Sequence, residues 1–118
     1  VPKLSLSPVD VRDVAAAHIT ALKGKRPVGK RFILAGDSVW MSDITALLKA
    51  HSKKASSREM PDLMTKVVAA FDPNVKSVLS ELGLMRYYDT QLSRKILKFS
   101  PRPLSNTLDD MVDSLQKF

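Results

Sequence analysis

A chain of 118 residues, 44% hydrophobic and 26% charged, is the size of one domain and can bury an apolar core, which excludes a disordered chain. The absence of cysteine excludes a disulfide framework, thiolate catalysis and thiolate metal sites, while 19 Lys and Arg against 12 Asp and Glu give a formal charge of +7 that makes a polyanion a partner to weigh. The longest uncharged apolar stretch, Phe32 to Met41, is broken by Gly36 and Asp37 and reaches about half of the roughly 20 residues a membrane span requires.

The chain opens at Val1 with no basic and apolar leader, so a secretory signal is expected to be absent or already removed, and the location is expected to be cytoplasmic. Leu4 to Val11 is short, apolar and interrupted by Pro8, which predicts a strand or extended segment at a sheet edge. Val14, Ala15, His18, Ile19 and Leu22 then recur at helical spacing, with Asp10 and Asp13 placed to accept from free N-terminal amides, so a helix is predicted over residues 12–23. Gly24 ends it, a basic loop follows, and Arg31 to Ala35 reads as a buried strand bounded by turn residues.

Ser42 is a good N-cap for a helix carrying Ile44, Leu47, Leu48 and His51, and Pro61-Asp62-Leu63 opens another with Met64, Val67, Val68 and Phe71. Asp72-Pro73 supplies a cap and a first-turn proline for Val75, Val78, Leu79 and Leu82, with Gly83 as the left-handed stop. A short helix is predicted from Tyr87–Thr90 to about Leu97, a break at Pro101-Arg102-Pro103, and a last amphipathic helix over 105–116. There Leu104, Leu108, Met111, Val112 and Leu115 share one face, while Asp109, Asp110 and Asp113 lie away from it as a solvated surface. The fold class is therefore mainly α with two short strands, about six helices in all, and strands so few cannot make a sizeable sheet on their own.

Few residues carry recognisable chemistry. Gly24, Gly29, Gly36 and Gly83 have the spacing of neither a dinucleotide-binding glycine turn nor a P-loop. Tyr87 is followed four residues on by Gln91 and Tyr88 by Leu92, so neither phenol has the lysine one turn later that would lower its pKa for proton transfer to a carbonyl. Both tyrosines are expected to fill a loop-to-core junction. His18 and His51 lack metal-ligand spacing and are expected at the margins of apolar faces, each with one ring nitrogen hydrogen-bonded, so no metal is predicted. Basic residues cluster at 23–31, 49–58 and 94–102. Low aromatic content and their position in loops and helix C-terminal turns argue against nucleic acid, although a small basic helical module binding nucleic acid or an acidic protein is the alternative reading.

Three ordered stretches resemble the extended short-chain dehydrogenase/reductases, a branch of the NAD-dependent epimerase/dehydratase superfamily, and in particular their dihydroflavonol reductase-like members. The first, Val9-Asp-Val-Arg-Asp-Val-Ala-Ala-Ala-His18, is similar to the family's V-[HD]-V-x-D-[VL]-A-x-A-H element. The second joins Gly29-Lys-Arg-Phe-Ile-Leu-Ala-Gly36 to Met41 through Leu48, like the family's late strand, glycine turn and helix. The third runs from Tyr88-Asp89 through Leu97 to Phe99-Ser-Pro101-Arg-Pro103 and the terminal helix, like the family's D-x-S-K-A-x-x-x-L-G-[FW]-x-P close, with Leu92 where lysine is frequent and Lys98 where glycine is usual.

The resemblance implies that residues 1–118 are the C-terminal, substrate-binding region of a reductase using NADP or NAD on a small ketone or aldehyde. The cofactor loop and the catalytic Ser, Tyr and Lys would lie upstream, outside this chain, which alone would bind no cofactor and catalyse nothing. The segment before the V-D-V element borders the substrate in such enzymes, which implies contacts from Ser5 and Ser7, with Trp40 and Met41 as apolar pocket wall. Arg31 to Ala35 would be one strand of a parallel sheet. Left alone, that segment or Leu4–Val11 is expected to drive self-association through an unpaired edge.

Overall fold

The computed structural model describes residues 1–51, 58, 60–73, 76 and 79–118. Its elements in chain order are β1 (Ser5–Leu6), α1 (Val11–Lys23), β2 (Val39–Trp40), α2 (Met41–Leu48), α3 (Asp62–Phe71), a 3-10 turn (Leu79–Glu81), α4 (Gln91–Leu97) and α5 (Leu104–Gln116). The chain is mainly helical with two short strands, and it divides into two compact units.

The first unit comprises Val1–Leu6 and Ser38–Arg86. The N-terminal segment is its organising thread. The Met60 amide donates to the Val1 carbonyl at 2.7 Å, the Gly83 amide to Lys3 at 2.8 Å and the Met41 amide to Leu4 at 2.9 Å, while β1 and β2 form a two-stranded antiparallel ladder. These bonds satisfy peptide groups of chain segments that are remote in sequence. Because pairing holds Trp40 extended (φ −76°, ψ 148°), the following helix starts at Met41. Trp40 is thus its N-cap in place of the predicted Ser42, and the Asp43 carboxylate at the third helical position accepts from the Trp40 amide at 3.2 Å. Gly83 has φ +72°, as a helix-stopping glycine should. Val75 and Val78 of the helix expected before it lie outside the described residues, as do Lys53 and Lys54 of the 49–58 basic cluster.

Helix α3 is turned against its own periodicity. It buries Thr65 and Ala69, while Leu63 and Phe71 are 74% and 87% exposed and Met64, Val67 and Val68 are also exposed. The large apolar stripe of this helix is therefore left on the surface of the unit.

The second unit comprises Ser7–Asp37 and Tyr87–Phe118. Its core joins Ala17 of α1 to Leu97 and Phe99, with Val9, Ala21, Phe32, Leu34 and Ile96 packed around them. Asp10 caps α1, its Oδ1 accepting from the Arg12 amide at 2.8 Å. The inward face of α1 is the small-residue one through Ala17 and Ala21. Leu22, expected on the inner stripe, is 87% exposed, Ile19 is exposed with it, and so is Val11 at the first position of the helix. Gly24 does end α1, but in an extended conformation (φ −97°), and the glycine is needed because a Cβ there would lie 2.9 Å from the Pro27 side chain.

Arg31–Ala35 is not a strand. Phe32 and Leu34 turn to the core as an alternating extended segment would, yet the segment forms no ladder with another strand among the described residues. The Ile33 carbonyl is instead taken by the hydroxyl of Ser93, a fully buried side chain on α4, at 2.5 Å. Helix α4 stops at Lys98, a left-handed residue (φ 52°), and the Phe99 amide reaches back to the Ser93 carbonyl at 3.3 Å. Lysine therefore occupies the conformation for which glycine is the usual choice. Tyr87 and Tyr88 are exposed rather than set into a core junction, and His18 is exposed as well, though its Nδ1 donates to the Val14 carbonyl at 2.8 Å.

Candidate functional site

Two of the three predicted substrate contacts come together. The β1–β2 register places Ser5 directly opposite Trp40, and residues paired across an antiparallel ladder present their side chains on one face. Lys3 lies two residues before Ser5 and so returns to that face. Its ammonium sits 5.4 Å from the centre of the Trp40 ring, within cation–π range. Lys3 also joins Met60, Pro61 and Asp62 in lining a cavity of about 320 Å³ at the start of α3. One face of the first unit thus carries a hydroxyl, an indole and a cation, and of these Lys3 also lines the cavity. That set can donate hydrogen bonds to a carbonyl oxygen and stack or pack an apolar substituent.

Ser7 is half-buried and belongs to the second unit. Met41 is half-buried at the start of α2. Sequence reasoning missed Lys3 and the Met60–Asp62 wall. The only local signal was the two-residue spacing of Lys3 and Ser5, which acquires meaning once the strand pairs with a segment 35 residues further on.

In the second unit the charged residues form a clasp between the start of α1 and the start of α5. Asp10, 4% exposed, accepts from the Arg12 guanidinium at 2.9 and 2.7 Å and from the Thr107 hydroxyl at 2.9 Å. Hydrogen bonding to Arg12 holds its carboxyl well below the usual carboxylate range, against the opposing effect of desolvation. Arg12 in turn reaches Asp110 at 2.7 Å, so that carboxylate is ion-paired, and the solvated acidic face expected of α5 is interrupted there. Asp13 accepts from the Arg102 guanidinium at 2.8 Å and from the Arg102 amide at 2.9 Å, which likewise lowers its pKa. Arg12 and Arg102 are therefore structural cations in this unit.

The glycines do not form a pyrophosphate cradle. Gly36 approaches the chain itself, its absent Cβ falling 2.0 Å from the Pro8 carbonyl oxygen, Gly24 adjoins Pro27, and Gly29 and Gly83 are turn residues with open space around them. These residues do not fit a dinucleotide. Among the described residues no group of three or more His, Cys, Asp or Glu side chains is placed to hold a metal ion, and no helix is long and apolar enough to cross a membrane.

No family model matches the chain. The mainly helical fold with two short strands resembles the C-terminal part of a Rossmann-type reductase. The chain is homologous to the NADPH-dependent methylglyoxal reductase of Saccharomyces cerevisiae, with 29% identity over all 118 residues. It spans only 31% of that relative's length. The crystal structure of gox2253 superposes with a TM-score of 0.71 at 20% identity, over 98% of this chain and 38% of that one. The crystal structure of yeast methylglyoxal/isovaleraldehyde reductase with NADPH gives 0.64 at 24% identity, over 99% of this chain and 34% of that one.

Proposed function

We propose that residues 1–118 are the substrate-binding part of an NADPH-dependent oxidoreductase that reduces a ketone or aldehyde, within the dihydroflavonol reductase-like branch, and that the nucleotide-binding half and the catalytic residues belong to the rest of that polypeptide. The observation that carries this reading is the inversion of two helices. Both α1 and α3 bury small residues and present their large apolar side chains outward, as helices do when more protein is meant to cover them. The yeast relative is about three times as long and has a length of chain available for that purpose.

In this reading Ser5 donates its hydroxyl to the carbonyl oxygen or a neighbouring polar group of the substrate, and Trp40 packs against its apolar part. The reductase works in the cytoplasm. Separated from its covering half, the chain self-associates, through the Arg31–Ala35 segment or through the outer edge of β1 within Leu4–Val11. Sedimentation at rising concentration should show species larger than a monomer, and a strictly monomeric profile would remove this part of the reading.

The test of function is kinetic. In the proposed full-length reductase, Trp40→Ala should raise KM for a carbonyl substrate roughly tenfold or more while KM for NADPH is unchanged, since loss of a buried aromatic contact is worth about 1–3 kcal/mol. Equal effects on both KM values would show that Trp40 supports the fold and does not line the pocket.

A further inference from the structure

We propose that Thr107 is a phosphorylation site, and that its modification opens the Asp10–Arg12–Arg102 clasp. The idea is independent of the reductase reading and rests on the second unit alone. Thr107 is followed by Leu108, Asp109 and Asp110, which puts carboxylates two and three residues after the hydroxyl, the placement an acid-directed protein kinase selects through a basic peptide groove. Its side chain lines a cavity of about 490 Å³ shared with Val11, Arg12, Asp110 and Met111, so a phosphate has room beside it.

A kinase needs its substrate extended, and the start of α5 is suited to unwinding. Pro103 at the N-cap offers no side-chain hydrogen bond, and the bond from the Thr107 amide to the Pro103 carbonyl is long, at 3.4 Å. No acidic residue in the first turn compensates the helix dipole.

The step is a simple phosphoryl transfer. Thr107 Oγ1 attacks the γ-phosphorus of ATP, a P–O bond forms to the threonine, the bond to the β,γ-bridging oxygen breaks, ADP leaves and the hydroxyl proton is released. The oxygen that donated to Asp10 at 2.9 Å then has no proton to donate and carries a group of charge about −1.5 to −2. That charge faces a buried carboxylate. The two guanidiniums within reach are already committed, Arg12 between Asp10 and Asp110 and Arg102 to Asp13, with Arg102 Nε 3.8 Å from Asp10. Whichever of them turns to the phosphate leaves one of those carboxylates without its partner. A dianion beside Asp10 therefore exchanges a tie between α1 and α5 for a repulsion.

The experiment incubates the whole chain with ATP and an acid-directed serine/threonine kinase, maps phosphate by peptide mass spectrometry, and compares backbone hydrogen exchange before and after. Phosphate is expected on Thr107, retained in Thr107→Ser, absent in Thr107→Val, and reduced in Asp109→Asn. Exchange of amides 104–110 in the phosphorylated chain should accelerate roughly tenfold or more, the equivalent of about 1.4 kcal/mol of local opening. Phosphate found elsewhere but not on Thr107 overturns the site. Phospho-Thr107 with unchanged exchange over residues 104–110 overturns the mechanism.

Discussion

Two glycines make a discriminating pair of perturbations. An alanine Cβ at Gly36 would stand 2.0 Å from the Pro8 carbonyl oxygen, whereas carbon and oxygen in contact lie about 3.3 Å or more apart, an overlap of over ~1 Å. The obstacle is backbone and no side-chain rotamer relieves it, so either the Val9 approach or the turn after Ala35 has to move. The expected cost of Gly36→Ala is about 3 kcal/mol or more, at the upper end of overpacking penalties. Gly29→Ala meets nothing within 4 Å and is opposed only by its left-handed backbone, φ +70°, for which about 1 kcal/mol is expected. With a urea slope of about 1–3 kcal/mol per molar, Gly36→Ala should lower the unfolding midpoint by roughly 1–3 M and Gly29→Ala by about a third as much. Equal shifts, or a harmless Gly36→Ala, would refute the close approach of residues 8 and 36.

Other outcomes follow from the same geometry. Lys98→Gly should stabilise the chain by about 0.5–1 kcal/mol, because the residue after α4 is left-handed, and a thermal melt that falls on substitution would contradict that cap. Phe99→Ala should cost about 3–5 kcal/mol by emptying the core around Ala17 and Leu97, readable by chemical denaturation. Asp10 and Asp13 titrate below their ordinary value of 3.8 in the folded chain, so the unfolded chain takes up protons first as pH falls. Their contribution to stability is complete above that value and is lost as pH descends through it toward the folded pKa values. Asp10→Asn with Asp13→Asn should therefore flatten the acid limb of a stability–pH curve, and an unchanged limb would show the clasp to be unimportant.

Much of the helical layout was legible because its signals are local. Asp10 as a cap, Pro61 before α3, Gly83 as a left-handed stop and the Pro101–Pro103 break each act through the backbone within a few residues. What could not be read is which face of a helix is covered. The periodicity that includes Ile19 and Leu22 is real, yet the chain buries Ala17 and Ala21 instead, since a stripe tells that burial is needed but not by what. Arg31–Ala35 fails as a strand for the same reason: a ladder belongs to two segments, and this one has none beside it among the described residues. Of the candidate site, Ser5 and Trp40 were identified singly. Their apposition and the Lys3 cation above the indole depend on a pairing across 35 residues that no local pattern encodes.

The central claim, that this chain shapes a carbonyl pocket for a nucleotide half carried elsewhere, is tested most directly by titrating NADPH into residues 1–118 alone and into the proposed full-length reductase. The account predicts no saturable binding to the former, and saturable binding with aldehyde- or ketone-dependent oxidation of NADPH by the latter. Tight binding of NADPH to residues 1–118 alone, or a full-length protein that never consumes NADPH with any carbonyl compound, would contradict it.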